Sequence, residues 1–397
     1  MQQIPKSEID RRISELQRRM GAEGFDAALV VQNADLYYFC GTVPQGYLFV
    51  PESGEPVLFV RKNPERIREE SPLGKIIPLD KPRDLPGLLS GFGIAGFNRL
   101  GMELDVLPVN HFVRLREILR PRDTADISPL IQSLRSIKSE FEISAMKAAG
   151  LFSDRMIAAS RAALREGMKE VELSAAVEAA ARSEGHQGFV RMRAFNQEVY
   201  WGAVVSGRDA AEMNFIDFAE GGRGVCLALP SGAGLRRILR GEPVLYDYVA
   251  VHRGYFTDQS RTMSLGKLPA ELDRAYRLSV EILKSIEAML RPGVTVHELY
   301  SRAERIAEGG GLAGHLQGFG KNRAGFLGHG IGLELDEIPA VTPKGKTTLQ
   351  AGMVLAIEPK FMFPGLGVVG VEDNYVIRPS GPEKLTGAPY DVEVDRI

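Results

Sequence analysis

Val244-Leu245-Tyr246-Asp247-Tyr248 and Gly254-Tyr255-Phe256-Thr257-Asp258 form one pair of segments whose reading decides the fold. Val354-Leu355-Ala356-Ile357-Glu358-Pro359 and Val368-Val369-Gly370-Val371-Glu372-Asp373 form the other. Each pair reads as two adjacent antiparallel strands, apolar runs that carry a carboxylate. Between the pairs lies Gly328-His329-Gly330-Ile331-Gly332, a histidine flanked by glycines that let backbone approach a metal closely. Taken singly, a strand-borne carboxylate more often ends a sheet or pairs with a neighbouring cation. Together, four carboxylates and one imidazole suit two hard or borderline divalent ions with bridging carboxylates and an activated water. Anions gathered this closely without cations would repel strongly in a low-dielectric site. Asp247, Asp258, His329, Glu358 and Glu372 are therefore the expected metal ligands.

Working outward, Ser139-x-x-Glu142 is a capping box that opens a long helix running to about Arg165. A second helix follows the break at Gly167, and two more are expected near 269–290 and 296–308, with strand-rich stretches after each pair. Arg165-Glu166-Gly167 through Glu172-Leu173 is similar to Arg291-Pro292-Gly293 through Glu298-Leu299. Each phrase stands between two helices, and each half then delivers a strand pair bearing two carboxylates. The economical reading is a duplicated unit whose halves face each other across a pseudo-twofold axis, with the metals at the seam.

The first 132 residues read differently. Ser7 begins an amphipathic helix with Ile9, Ile13, Leu16 and Met20 at helical spacing. Ala27-Ala28-Leu29-Val30-Val31 is a continuous apolar run, as in a buried strand. Tyr47-Leu48-Phe49-Val50 and Pro56-Val57-Leu58-Phe59-Val60 flank a turn at Glu52-Ser53-Gly54 and predict a hairpin. Apolar runs near Ile76 and Leu100 and a helix from about Asn110 continue a mixed α/β pattern without a catalytic constellation. A supporting or dimerising domain over 1–132 and a catalytic domain over 133–397 are expected.

The bulk properties narrow the classes. A net charge of −2, with 25% charged residues and no basic run, gives no support for nucleic acid or an anionic membrane as partner. Two cysteines, Cys40 and Cys226, cannot build a disulfide framework, which suits a reducing cytoplasm. The charged N-terminal stretch is not read as a signal peptide, and no run of about 18 apolar residues could span a membrane. No Gly-x-Ser-x-Gly elbow or phosphate-cradling loop offers a competing chemistry. The remaining histidines, His111, His186, His252, His297 and His315, are read first as structural or surface residues.

The order Asp, Asp, His, Glu, Glu in these phrases resembles the pita-bread metallopeptidases: prolidase, aminopeptidase P and methionine aminopeptidase. The matching phrases are Gly254-Tyr255-x-x-Asp258-x-x-Arg261-Thr262, Gly328-His329-Gly330-Ile331-Gly332-Leu333-Glu334 and Gly352-Met353-x-Leu355-x-Ile357-Glu358-Pro359. Ser136-Ile137-Lys138-Ser139-x-x-Glu142-Ile143 is similar to the opening of the catalytic domain in the prolidase and aminopeptidase P branch. The resemblance is strong over about 133–380 and weaker over the first 130 residues, which are similar to the N-terminal domain of prolidase and creatinase. It implies an α+β fold: a pita-bread catalytic domain of duplicated ααβ units around a curved antiparallel sheet, preceded by a smaller α/β domain. It implies two divalent ions (Mn, Co, Zn or Fe), Asp258 and Glu372 bridging, Asp247 on one ion and His329 on the other. Glu358 would combine ligation with taking the proton from the metal-activated water. A short peptide cleaved at its N-terminal residue, before proline, is the implied substrate, and a homodimer the implied assembly.

Three departures accompany the matches. Where such peptidases carry Gly-x-Glu-x-His-Glu-x-Pro, Gly332-Leu333-Glu334-Leu335-Asp336-Glu337-Ile338-Pro339 puts Asp336 at the histidine. A second histidine, after a Ser-Gly phrase, is Asn214 here, and the arginine two residues before the last glutamate is Gly370. An ionised aspartate cannot donate a hydrogen bond to a developing oxyanion. Asp336 therefore acts as a neutral donor or marks a different mode of substrate binding. Asn214 and Trp201 are expected to line the substrate cleft, and the glycine-rich stretch between Asn214 and Asp247 either re-forms its wall or is a surface insertion. The alternatives to a peptidase are a metal-dependent lyase or other enzyme on the same scaffold, and a metal-stabilised binding protein.

Overall fold

The chain divides into two units, Met1–Arg135 and Ser136–Ile397. The computed structural model describes residues 3–94, 96–193, 195–197, 200–213 and 215–394.

The first unit is built from α1 (Lys6–Glu23), β1 (Ala27–Val30), α2 (Asn33–Cys40), β2 (Gly46–Pro51) and β3 (Val57–Val60). It continues with α3 (Pro64–Glu70), β4 (Ile76–Pro78), α4 (Leu85–Ser90), β5 (Arg99–Met102), α5 (Val109–Leu119) and β6 (Asp123–Asp126), and α6 (Ser128–Ser136) follows. The six strands form a mixed sheet in the order β4-β3-β2-β1-β5-β6. β1 is central and buried at every residue, which is why it reads as an unbroken apolar run rather than an alternating one. The hairpin expected at Glu52-Ser53-Gly54 is β2–β3, with Phe49 opposite Val57. α1 buries Ile9, Ile13, Leu16 and Met20, the stripe expected from helical spacing.

The second unit starts with α7 (Glu140–Ala163) and α8 (Glu170–Ser183), then β7 (Gly202–Ser206), the short α9 (Gly207–Ala210), β8 (Val244–His252) and β9 (Tyr255–Met263). The helix pair α10 (Ala270–Glu287) and α11 (Val296–Gly309) follows. The remaining strands are β10 (Gly318–Phe319), β11 (Asn322–Arg323), β12 (Gly328–Gly330), β13 (Val354–Ile357), β14 (Lys360–Phe363), β15 (Gly367–Gly370), β16 (Asp373–Val376) and β17 (Glu383–Lys384). The Ser139 hydroxyl caps α7 by accepting from Glu142 N, and the Glu142 carboxylate accepts from Ser139 N at 3.0 Å.

The duplication is visible in element order and in hydrogen bonds. Two helices followed by the antiparallel order β7-β8-β9 correspond to two helices followed by β12-β13-β16. Gly167 and Gly293 both take the left-handed conformation, with φ of 80° and 95°. Lys169 bridges Arg237 just as Thr295 bridges Thr348, ahead of β8 and β13 respectively. Each half packs its helix pair on its strands. Phe152, Met156, Leu173 and Val177 meet Val244, Tyr246 and Tyr248. Ile282, Leu283, Leu299 and Ala303 meet Leu355, Ile357 and Tyr375.

One expectation is refined. The segments around Glu358 and Glu372 are not a single strand pair: β13 pairs with β16, and β14 with β15, in separate sheets. Pro359 has no N–H to continue the ladder, so the strands change partners there. Glu358 N turns to Leu327 O and Glu372 N to Ser260 O. Both glutamates stand at that break.

Candidate metal centre

The hairpin β8–β9 pairs Asp247 with Ser260 and Val249 with Asp258. Residues two apart in a strand share a face, so both aspartates project from the same side of the hairpin. On β12, His329 lies opposite Ala356, two residues before Glu358, which brings imidazole and carboxylate to one face. Glu372 is held against β9, where Ser260 Oγ donates to its Oε2 at 2.8 Å. The five ligand-type residues thus come from three strands and from the positions just after β13 and just before β16, and they converge.

The residues around them explain the flanking phrases. Arg261 Nη2 donates to Asp373 Oδ1 and Nη1 to the Glu372 carbonyl, both at 2.8 Å. Thr262 Oγ1 donates to Gly370 O and accepts from Gly370 N, at 2.9 Å each. Asn374 accepts from Asp258 N at 3.0 Å and donates back to the Asp258 carbonyl. These bonds pin the Glu372 strand onto β9, so the ligand separation is set by backbone.

His329 Nε2 faces Glu358 Oε1 at 3.7 Å and Glu372 Oε1 at 4.0 Å. Its Nδ1 lies 2.9 Å from Gly330 O and 3.4 Å from Asp336 Oδ1, so Nδ1 carries the proton and Nε2 is left for a cation. Burial opposes the charged imidazole, but Asp336, Glu358 and Glu372 outweigh it and raise its pKa. Burial, then the Asp247 charge, pushes the Asp258 carboxyl well up. Burial and the Asp258 charge do the same to Glu372.

Two residues that the sequence reading did not single out belong to this cluster. Lys360 is 2% exposed, and its Nζ lies 2.6 Å from Asp247 Oδ2, 2.9 Å from Glu358 Oε2 and 3.0 Å from Glu220 Oε2. Burial opposes its charge, yet Asp247, Glu220, Glu358 and Glu372 raise the ammonium well above its ordinary range. Burial pushes Glu220 up to about 8 against the pull of Lys360. A signal for Lys360 existed: it sits two residues beyond Glu358 and opens the otherwise apolar run Phe361-Met362-Phe363. Glu220 carried none.

Asp247, Asp258, His329, Glu358, Lys360 and Glu220 line a cavity of about 380 Å³ that also includes Asp336. Its walls are apolar, with Ile216, Phe218, Leu229, Phe326 and Leu335 among them, and Gly221, Ser231, Gly232 and Ala233 also line it. The glycine-rich stretch before β8 is therefore cavity wall rather than an outlying insertion. Trp201 is not at this surface. It is 2% exposed, stacks on buried His186 at 3.9 Å between ring centroids, and belongs to the core under β8. Its neighbours Tyr200 and Gly202 line the cavity instead, because alternation along the chain turns Trp201 inward. Asn214 lies outside the described residues.

A divalent ion fits the His329 side of the cluster. Ligand atoms of Asp258, His329 and Glu372 lie within 4.8 Å of one another. Asp258 Oδ1 and Glu372 Oε1 are buried with no hydrogen-bond partner among the described residues, a costly arrangement that a cation would relieve.

The family model for metallopeptidase family M24 matches residues 144–379, and that for the creatinase/prolidase N-terminal domain matches 12–137. A Xaa-Pro dipeptidase of Pyrococcus horikoshii is 28% identical over 95% of this chain and 97% of its own. The solved structure of the Pyrococcus horikoshii prolidase superposes with a TM-score of 0.81 at 27% identity, covering 96% of this chain and 99% of that one. The Pyrococcus furiosus prolidase gives 0.79 at 26% identity, over 94% and 99%.

Proposed function

We propose, from the premise that this chain belongs to metallopeptidase family M24, that it is a metal-dependent exopeptidase releasing the N-terminal residue of short Xaa-Pro peptides. The observation that carries the reading is the convergence of Asp247, Asp258, His329 and Glu358 on one apolar-walled cavity, with Glu372 buried against the same cluster. Relatives that match over nearly their whole length bear dipeptidase or peptidase names, which favours hydrolysis over a lyase or a binding role.

Asp258, His329 and Glu372 would hold a divalent ion, with Glu358 beside them. Carboxylates with one imidazole suit Mn, Co, Zn or Fe. When bound, such an ion supplies Lewis acidity toward the scissile carbonyl and a water nucleophile available at neutral pH. Glu358 is the proton acceptor of this reading, its Oε1 facing His329 Nε2. The apolar walls accept a proline ring and exclude water, while the anionic floor attracts the protonated amino terminus of the peptide. Asp336 is assigned to orienting His329 through Nδ1, not to the oxyanion. The two-ion expectation extends the ligand set to Asp247, whose carboxylate also meets Lys360. A homodimer formed through the N-terminal unit rests on the resemblance, and a cytoplasmic setting is supported by two free cysteines, Cys40 and Cys226.

The test is hydrolysis by protein that has been stripped and then reloaded with Mn²⁺, against Xaa-Pro dipeptides and longer Xaa-Pro peptides. Metal-dependent cleavage of the dipeptides is expected. With no histidine at 336 or 214, the rate should lie about 10²–10³-fold below that of a prolidase keeping both, the usual cost of one lost oxyanion donor. Cleavage of longer peptides alone would move the assignment to an aminopeptidase, and cleavage of neither would reject it.

A further inference from the structure

Lys360 opens β14 immediately after Glu358-Pro359, and its ammonium is enclosed by carboxylates from three parts of the chain. Asp247 comes from the hairpin β8–β9, Glu358 and Glu372 from the break where β13 and β16 give way to β14 and β15, and Glu220 from the cavity wall. The distances are 2.6, 2.9, 3.6 and 3.0 Å in that order. An ammonium has three N–H donors, and three carboxylates stand within hydrogen-bond distance to receive them. In a dinuclear site the two ions lie about 3.5–4 Å apart. Asp247 is the carboxylate that an ion beyond the His329 side would need besides the bridging pair Asp258 and Glu372, and here Asp247 holds the Lys360 ammonium, as Glu358 does.

The backbone makes room for this arrangement at one position. Lys360 pairs with Gly370 across β14 and β15, and a Cβ added at Gly370 would lie 2.5 Å from Lys360 Cγ. Any side chain at 370 would displace the lysine stem, so the glycine that departs from the family phrase is what admits Lys360. On the other side of the cluster, Asp258 Oδ1 and Glu372 Oε1 are buried without a hydrogen-bond partner among the described residues, and Glu372 Oε1 lies 4.0 Å from His329 Nε2. Glu358 spans both positions, with Oε2 on Lys360 Nζ and Oε1 toward His329 Nε2.

We propose that this centre holds a single divalent ion, on Asp258, His329 and Glu372, and that the Lys360 ammonium stands permanently in the place of the second. The inference rests on the metallopeptidase reading and narrows it. An ammonium neutralises Asp247 and Glu358 as a second cation would, but it offers no open coordination position. Chemistry that needs two metals at once is thereby confined to one metal and a fixed positive charge.

The experiment is metal counting on the full-length protein, stripped by chelation, reloaded with Mn²⁺ and freed of unbound ion, read by mass spectrometry and by electron paramagnetic resonance. The wild type should retain about one equivalent and show the hyperfine sextet of isolated Mn²⁺. His329→Ala should lose it, and Lys360→Gly, checked for folding by circular dichroism, should retain about two. Two equivalents in the wild type, or an exchange-coupled spectrum, would overturn the proposal, and the spectrum decides even where Lys360→Gly does not fold. A folded Lys360→Gly that retains one equivalent would also overturn it. Two equivalents with Xaa-Pro hydrolysis intact would sink this inference alone. No retained metal would sink both it and the metallopeptidase reading. One equivalent without hydrolysis would uphold it and reject the activity.

Discussion

At the scale of single residues, the exchange of histidine for Asp336 acquires a specific meaning from its place behind the His329 ring. Asp336 Oδ1 faces Nδ1 at 3.4 Å, on the side of the imidazole away from Glu358 and Glu372. Outer partners of this kind fix the ring and its tautomer, and their loss typically costs 10–100-fold in metal affinity. Asp336→Ala should therefore weaken Mn²⁺ binding by about that factor, while Asp336→Asn, which keeps an acceptor oxygen, should retain part of it. Calorimetric titration of both variants checks this; equal affinities in Asp336→Ala and wild type would remove the orienting role. The same logic separates Trp201 from the site: with 2% of its surface exposed and His186 stacked on it, its replacement is a packing change.

At the scale of elements, the centre depends on how β9, β16 and the C-terminal segment are tied together. Arg261, on β9, donates to Asp373 at the start of β16, to the Glu372 carbonyl, and to the Ala388 carbonyl. Both side chains of the Arg261–Asp373 pair are buried, at 2% and 0% exposure. Removing one partner of a buried pair leaves the other charge uncompensated and costs about 3–5 kcal/mol. Arg261→Leu should destabilise the catalytic unit by that order in urea unfolding, and it should also lower metal retention, because Glu372 loses its anchored backbone. A loss below 1 kcal/mol would mean that Lys384 and Tyr390, which also reach Asp373, suffice without Arg261.

At the scale of the whole molecule, the two units divide the work unequally. The second contains the duplicated helix pairs and all five ligand-type residues, and the first contains a six-stranded sheet that contributes none of them. Because none of the ligand-type residues comes from this unit, an assembly role is expected for it. The expected outcome is a homodimer at micromolar concentration, measured by light scattering on the full chain, with a monomer for a chain beginning at Ser136 if that piece folds. A monomeric full-length protein at that concentration would leave the first unit without this role. Among the described residues no helix is long and apolar enough to cross a membrane.

What the sequence determined by itself was the set of ligand-type residues and the class of fold. Ligation demands particular chemical groups, and strand periodicity, capping at Ser139 and the Gly167 and Gly293 breaks are local signals that survive without a structure. The same locality explains the hairpin at Glu52-Ser53-Gly54 and the buried run of β1. The tertiary structure decided which of these groups meet. Lys360 reaches Asp247, 113 residues away, along a stem that a side chain at Gly370 would press upon, and Glu220 arrives from a wall with no regular element to announce it. Asp336 is turned toward the back of His329, and Trp201 faces inward where Tyr200 and Gly202 face the cavity. Each of these outcomes depends on side-chain direction and on the packing of segments distant in sequence. Residue type and spacing state what chemistry is available, but the balance of charge at the centre is set by which distant side chain fills the space beside it.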